Sequence, residues 1–422
     1  MKKILVFCML ASIIFMSCKK DSNDSKPIDL SKNGTANCYL ITSSGTYSFN
    51  AKIIGNGTSG IISSDFHTSN PTISPVSVKL VWQDYYYNGK GLITELTLNE
   101  DKTKVIFTIS EAFGNAVIAV CDVNENILWS WHIWKPASTV KHLSSSTGYD
   151  IMNMNVGATL DISLSGAIIN DTKSYGMLYQ WGRKDPLPAS ATLTGTTTTV
   201  SAPMYDMEGN PVTIQNSSWT DVSNNTLLYA IQNPTICFSR WGQLATSGDW
   251  LTATNSVDAL WGNPKGYERD ENLTYINKGK KSIYDPCPVG WRVPPSDVFR
   301  NFVAEDAVLG TISFDISEFQ VQDLNGDGEI TIDDYSYGWF FKLNENVYSY
   351  FPSASRFDGQ YGMLMGSMSG IWGTYWSNSP DGSADNPGRA YSPLSFGTSP
   401  IMVTTLANAG RADAYSIRCI KE

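Results

Sequence analysis

The sequence predicts a mainly β protein with some α structure, in which a β-sandwich precedes a longer, loop-rich region of short strands. Three observations predict it. Alternating apolar and polar residues recur between about Gly34 and Trp134, the period of half-buried strands. Turns rich in Gly and Asn separate those runs, and no helical period competes with them. A hydrophobic fraction of 42%, with 16 Phe, 13 Trp and 21 Tyr, supplies enough core for both regions and rules out wholesale disorder.

The chain of 422 residues opens with Lys2 and Lys3 before an apolar run from Ile4 to Met16. This is the charged and apolar pattern of a secretory signal over residues 1–17, too short to span a bilayer comfortably. The run ends in Phe15-Met16-Ser17-Cys18, which resembles the lipobox of bacterial lipoproteins. The resemblance implies that Cys18 is lipidated and anchors the chain on a membrane without spanning it; the alternative is an ordinary signal with an incidental cysteine. Residues 18–33 are polar, free of aromatics, and read as a flexible tether. Asp21 and Asp24 within it resemble the surface-export signal of Bacteroidetes lipoproteins, which implies an outer-membrane protein facing outward.

The β-sandwich is assigned to residues 34–136. In VSVKLVW, Val76, Val78, Leu80 and Trp82 alternate with polar residues. NAVIAVCDV is apolar on both faces, as a central strand would be. In ILWSWHIW, Ile127, Trp129, Trp131 and Ile133 share one face, with Ser130 and His132 on the other. The order ANCYLI, GTYSFNA, GNAVIAVCDVNENILWSWHIW resembles a module that precedes other domains in Bacteroidetes surface lipoproteins and fimbrillin-like proteins. Residues 135–148 lack periodicity and read as a linker.

From 145 to 422 no fixed repeat occurs, which argues against a solenoid or propeller. PPSDVFRNFVAEDAV predicts a helix, with Ser296 as N-cap and Val298, Phe299, Phe302 and Val303 as its apolar stripe. Eight phrases follow one another in order: NMNVGAT, YGMLYQWGRKDP, IQNPTICF, DALWG, KSIYDPCPVGWRVPPSDVF, YFPSASRFDGQYGML, GTYWSNS and AYSIRCIKE. Together they resemble the Fibrobacter succinogenes major paralogous domain of Bacteroidetes surfaces, over about two thirds of the chain. The resemblance implies a C-type-lectin-like α+β domain over 145–422. It also implies a disulfide between Cys287, in Cys287-x-x-Gly290-Trp291, and Cys419 near the end; two buried free thiols are the alternative. Cys38, Cys121 and Cys237 read as core thiols. The chain departs from sugar-binding C-type lectins, since their Glu-Pro-Asn and Gln-Pro-Asp triplets are missing from the late loop, where Asp385-Asn386-Pro387 stands.

The strongest chemical motif is Asp323-Leu-Asn325-Gly-Asp327-Gly328-Glu329-Ile-Thr331-Ile-Asp-Asp334. It fits the calcium loop at positions 1, 3, 5, 6 and 12, with the Glu329 carbonyl and Thr331 as further ligands. Asp at position 12 resembles dockerin-type loops. The strand-like flank DYSYGWFFKL argues against a helix-loop-helix switch and the single copy against a paired-loop dockerin module, so the expected role of calcium is structural. An acidic surface turn is the alternative.

Catalytic patterns are scarce. No histidine follows His142, which removes Ser-His-Asp, Cys-His and histidine-based metal sites from the large region. A carboxylate-based glycan hydrolase survives that argument, because it needs only two acids; the reading is nonetheless a non-enzyme. The formal charge of −10 becomes about −12 once Lys2 and Lys3 are removed, which disfavours nucleic acid as a partner. Binding is the better class, with Trp372, Tyr375 and Trp376 as an exposed aromatic set and Asn378 and Asp381 as hydrogen-bonding neighbours. Each tryptophan is equally at home in a core. The expected function is adhesion or ligand binding at the outer surface, as a fimbrial tip or accessory subunit that takes a glycan or protein ligand. The alternative is glycan capture for polysaccharide uptake. The first arginine, Arg183, lies too late for the arginine-directed processing that polymerising fimbrial subunits resemble one another in needing.

Overall fold

Alternation between residues 28 and 135 builds ten strands among the described residues, β1 (Ile28–Asp29), β2 (Cys38–Leu40), β3 (Gly45–Asn50), β4 (Ser77–Gln83), β5 (Tyr86–Tyr87), β6 (Lys90–Gly91), β7 (Ile93–Leu98), β8 (Lys104–Ile109), β9 (Gly114–Cys121) and β10 (Ile127–Lys135). The computed structural model describes residues 26–57, 71–162, 171–194, 201–218, 220–240, 248–252, 257–272, 274–304, 310, 312–382 and 388–422. Over these the protein is mainly β, 38% strand and 6% helix.

Two sheets face each other, one ordered β1-β3-β8-β7 and the other carrying β4-β9-β10-β2. Their inner faces meet where Phe49 of β3 lies 5.0 Å from Trp131 of β10. β9 is buried at every position, as its two-faced apolar sequence requires. The pattern in β4 and β10 is less regular than the sequence suggests. A bulge between Leu80 and Trp82 shifts the register of β4, and Val76 lies outside the strand, exposed. β10 is buried on both faces, so Ser130 and His132 do not form a solvated side. That face is covered by the second half of the chain.

The covering is intimate. The Met204–Tyr205 and Pro211–Val212 hairpin extends the sheet of β4, pairing Tyr205 with Gln83. One apolar core runs from Phe49 and Trp131 through Trp181 and Trp250 to Trp376 and Cys419. Residues 135–148 are only partly a linker: His142–Ser144 is a strand, paired to Asp150–Met152, which in turn pairs with Ile420–Lys421. The short apolar Leu143 and Ile151 give that segment something to bury, which polarity alone did not reveal.

In the second half, a mixed sheet passes from Met177–Gln180 through Ala414–Ser416 to the central strand Trp372–Tyr375. It continues through Leu394–Thr398 and Ile401–Thr404. A hairpin of Gly338–Asn344 and Val347–Pro352 packs beside it. The expected helix at 294–308 is not formed over its described residues. Arg300–Phe302 makes a single 3-10 turn instead. Its apolar stripe is used differently: Phe302 stacks on Phe341 at 4.3 Å and meets Phe351 edge-on at 5.1 Å. One turn suffices to place Val298, Phe299 and Phe302 in that core, and consecutive Pro294 and Pro295 disfavour helix before it. The six-residue helix Leu227–Gln232 does form, capped by Thr226 Oγ1, which accepts from the Tyr229 amide at 3.2 Å.

Cys287 and Cys419 form a disulfide with Cα atoms 6.1 Å apart, closing a 132-residue separation. Cys38, Cys121 and Cys237 are free and buried. Loop-closure entropy for a ring of that size is worth about 5 kcal/mol in the chain-entropy picture. The double variant Cys287→Ala/Cys419→Ala should therefore lose about 2–5 kcal/mol in a urea melt. Thiol titration of the chain unfolded without reductant should count three cysteines beyond position 18; a count of five would exclude the bridge.

A buried polar chain crosses the junction. The Tyr179 hydroxyl donates to His132 Nδ1 at 3.2 Å, and His132 Nε2 donates to Asn115 Oδ1 at 2.9 Å. Asn115 Nδ2 donates to Asp84 Oδ2 at 2.7 Å and to the Gly157 carbonyl at 2.9 Å. Burial pushes the His132 imidazole down to about 3 and the Asp84 carboxyl up to about 6. Neutral His132 stabilises fully above its unfolded value of 6.5, and that contribution is lost as pH falls toward 3. Asp84 acts oppositely, its contribution complete below its unfolded value of 3.8 and lost as pH rises through about 6. The displacement of His132 is the larger. Denaturant melts should show the wild type losing stability relative to His132→Gln as pH is lowered from 6.5 to 4, and a constant difference would refute the burial of a neutral imidazole.

Candidate functional site

The residues expected to form an aromatic binding platform are placed in the core. Trp372 is half-buried, while Tyr375 and Trp376 are both 0% exposed. Tyr375 sits in the central strand, and its hydroxyl donates to the Pro352 carbonyl at 3.0 Å. Trp376 stacks on Tyr415 at 4.3 Å and donates its Nε1 proton to the Tyr179 carbonyl at 2.8 Å. Asn378 accepts from Asn263 Nδ2 at 2.8 Å and donates to the Lys278 carbonyl at 3.2 Å. Asp381 accepts from Asn408 Nδ2. Every member of the set except Trp372 is therefore a buried, satisfied structural group. The physical reason is position: strands on both sides cover the segment, and Gly397 leaves the space into which Trp372 packs. Cys18 lies outside the described residues, as do His67 and Asp385-Asn386-Pro387.

The Asp323–Asp334 loop is held by its own amides. Asp323 accepts from Gly326 N at 2.6 Å and from Gly328 N at 2.9 Å. Gly328 has φ +88°, the left-handed turn its position in the motif requires. Asn325 Oδ1 accepts from Asp327 N, and Asp327 Oδ1 accepts from Glu329 N, each at 2.9 Å. Asp334 is 1% exposed and closes the loop, accepting from Leu324 N at 2.7 Å and Thr331 N at 2.9 Å. Thr331 caps the short 3-10 turn Ile332–Asp334 in return. These contacts turn the oxygens onto backbone donors. Among the described residues no three acidic, imidazole or thiolate groups converge as metal ligands.

Among the described residues, His132, the three free thiols and the Lys184–Asp185 pair are buried, whereas His142 is exposed. His132 is committed to Tyr179 and Asn115. Burial raises the Cys38 thiol, raises the Cys121 thiol, and pushes the Cys237 thiol up to about 12, the opposite of what a nucleophile needs. Lys184 and Asp185 pair at 2.6 Å with 2% and 5% of their side chains exposed, sealed under Trp129 with Ser130.

Where the described surface is concave, polar groups from four separate segments converge. A cleft of about 730 Å³ opens beside the Gly338–Pro352 hairpin, within the usual range for ligand pockets. Arg300, Lys342, Asn344, Glu345, Ser146 and Thr147 line it. Asn301 ties the segments together, donating to Ser146 Oγ at 3.0 Å and to the Leu343 carbonyl at 3.1 Å. Thr147 Oγ1 donates to the Val298 carbonyl at 3.0 Å, and Asn344 Nδ2 to the Ser144 carbonyl at 2.5 Å. Val303 and Ala304 supply the apolar part of its lining. A second cleft of about 490 Å³, lined by Met204, Tyr205, Pro211, Phe357 and Met363, is more apolar. Sequence reasoning missed the larger cleft, for its residues are up to 199 positions apart and follow no motif.

No family model, curated protein or solved structure matches this chain.

Asp334 supplies the firmest test of the loop. Asp334→Ala strands the Leu324 and Thr331 amides and should cost about 2–3 kcal/mol in a urea melt, with faster exchange of both amide protons. Asp327→Ala, at an exposed position, should cost less than about 1 kcal/mol.

Proposed function

We propose that this chain is an outward-facing, lipid-anchored lipoprotein of the outer membrane that holds a glycan or protein ligand without transforming it, as an adhesin or a fimbrial tip or accessory subunit. The observation that carries the reading is the preorganised polar cleft between Arg300, Lys342 and Ser146. Asn301, Thr147 and Asn344 are held by neighbouring backbone carbonyls before any ligand arrives, which lowers the ordering cost of binding. The Phe15–Cys18 phrase and the polar residues 18–33 support an anchored position with reach beyond the membrane. The order of the eight phrases supports a major-paralogous-domain, C-type-lectin-like second half.

Calcium belongs to the same proposal as a structural ligand of the Asp323–Asp334 loop. Its support is the ligand spacing and the exposed position of Asn325 and Asp327, which an ion reaches from solvent. Binding would draw Asp323, Asn325 and Asp327 from the loop's own amides, so its energy would show as added loop stability.

A glycan and host-matrix array probed with the full chain, in calcium and in chelator, tests the proposal. Retention on at least one surface is the expected outcome, with binding preserved in chelator and a melting temperature raised by millimolar calcium. Silence on both surfaces would overturn ligand capture, while an unchanged melting temperature would remove calcium. Release of reducing sugar from any arrayed glycan would favour the carboxylate-hydrolase alternative instead.

A further inference from the structure

The large cleft has a charge pattern unlike the chain around it. The protein carries ten more acidic than basic side chains, yet the cleft lining holds two cations and one anion. Arg300 is exposed, and its guanidinium enters no ion pair among the described residues. Lys342 meets Glu345 at 3.3 Å, but the Glu345 side chain is 88% exposed. A pair of that kind is worth little and exchanges readily for a better-placed carboxylate. Around the cations stand hydroxyls and amides that already have partners: Ser146 Oγ accepts from the Asn301 side chain, and Asn344 Nδ2 donates to the Ser144 carbonyl. Lys342 is fixed at its backbone, where its amide donates to the Gln320 carbonyl at 2.8 Å.

We infer that this cleft binds a carboxylated saccharide, an inference that rests on the ligand-capture reading above. The sugar carboxylate takes Arg300 in the two-pronged geometry a guanidinium offers, with Lys342 as the second cation. Ring hydroxyls take Ser146, Thr147, Gln320 and Asn344. Glu345 is the competitor for Lys342 and is displaced toward solvent on binding. A neutral oligosaccharide satisfies the hydroxyl partners and leaves Arg300 unused, so the site discriminates by charge.

Calorimetry with the full chain and oligogalacturonate, set against its carboxyl-reduced neutral counterpart, is the direct test, alongside the uronate- and sialate-bearing members of a glycan array. The carboxylated oligomer should bind, and the neutral one should bind about tenfold more weakly or not at all. Arg300→Gln should weaken binding about tenfold or more, with an unchanged melting temperature because the residue is exposed. Glu345→Gln should strengthen binding about twofold to fivefold, a gain that a merely structural role for Glu345 would not produce. Equal binding of both oligomers, or an unaltered affinity in Arg300→Gln, would overturn the inference. Capture of some other arrayed glycan or matrix protein, unaffected by either variant, would overturn it while leaving ligand capture intact. Silence on every surface would overturn both.

Discussion

The fold depends on one buried ion pair. Lys281 and Asp285 meet at 2.9 Å with 4% and 1% of their side chains exposed. Charges so placed are tolerable only when every remaining donor and acceptor is satisfied, and here they are. Lys281 Nζ donates to the carbonyls of Cys287 at 2.9 Å and Trp291 at 2.5 Å. Asp285 accepts from the Cys287 and Val293 amides, both at 2.8 Å. The pair thereby shapes the Cys287–Trp291 turn, where Gly290 has φ +75°, and holds Cys287 opposite Cys419. The outward carbonyls of the same segment receive the N-terminal sandwich: Asn37 Nδ2 donates to Ile283 and Asp285, and Asn56 Nδ2 to Ser282 and Asp285. Turn, disulfide and junction therefore stand on one pair of charges.

The same logic explains why so few charged residues serve so large a chain. Several are spent inside, each under an aromatic ring and each hydrogen-bonded. Arg418 lies 4.2 Å from the Phe351 ring and donates to Asn155 and the Tyr350 carbonyl. Arg411 lies 4.4 Å from the Trp181 ring beside Asp249. Arg183 lies over Phe238 and donates to the Ile236 carbonyl. Planar guanidinium suits this use because it stacks while its edge still donates. The result is a stiff body in which loops, rather than helices, are fixed by polar side chains. A cleft built on such loops keeps its shape without a ligand.

Legibility varied with the reach of the information. The two-faced strand at Gly114–Cys121 was readable because burial on both sides leaves a purely apolar run. The calcium-type spacing was readable as a turn, and its carboxylates do hold the turn, although on backbone amides. The burial of Ser130 and His132 was not legible, because alternation reports only that two faces differ, not what covers the second. Trp372–Trp376 was misread for a related reason: an aromatic-rich segment with small residues suits a platform and a central strand equally. The helix expected after Ser296 gave way because tertiary contacts to Phe341 and Phe351 outweighed a weak local preference. Arg300 and Lys342 carried no signal at all, since neither belongs to a motif.

By itself, the sequence determined the mainly β class, the strand-forming character of residues 34–136, the core role of the three free thiols and the turn at Asp323–Asp334. Those are properties of local alternation, composition and short-range hydrogen bonding, which a linear reading contains. Only the tertiary structure decided that both halves share one core, that the aromatic segment is interior, and that a polar cleft lies beside the Gly338–Pro352 hairpin. Each of these turns on contacts between residues tens to hundreds of positions apart, and burial is a property of such contacts rather than of any residue's neighbours in the chain.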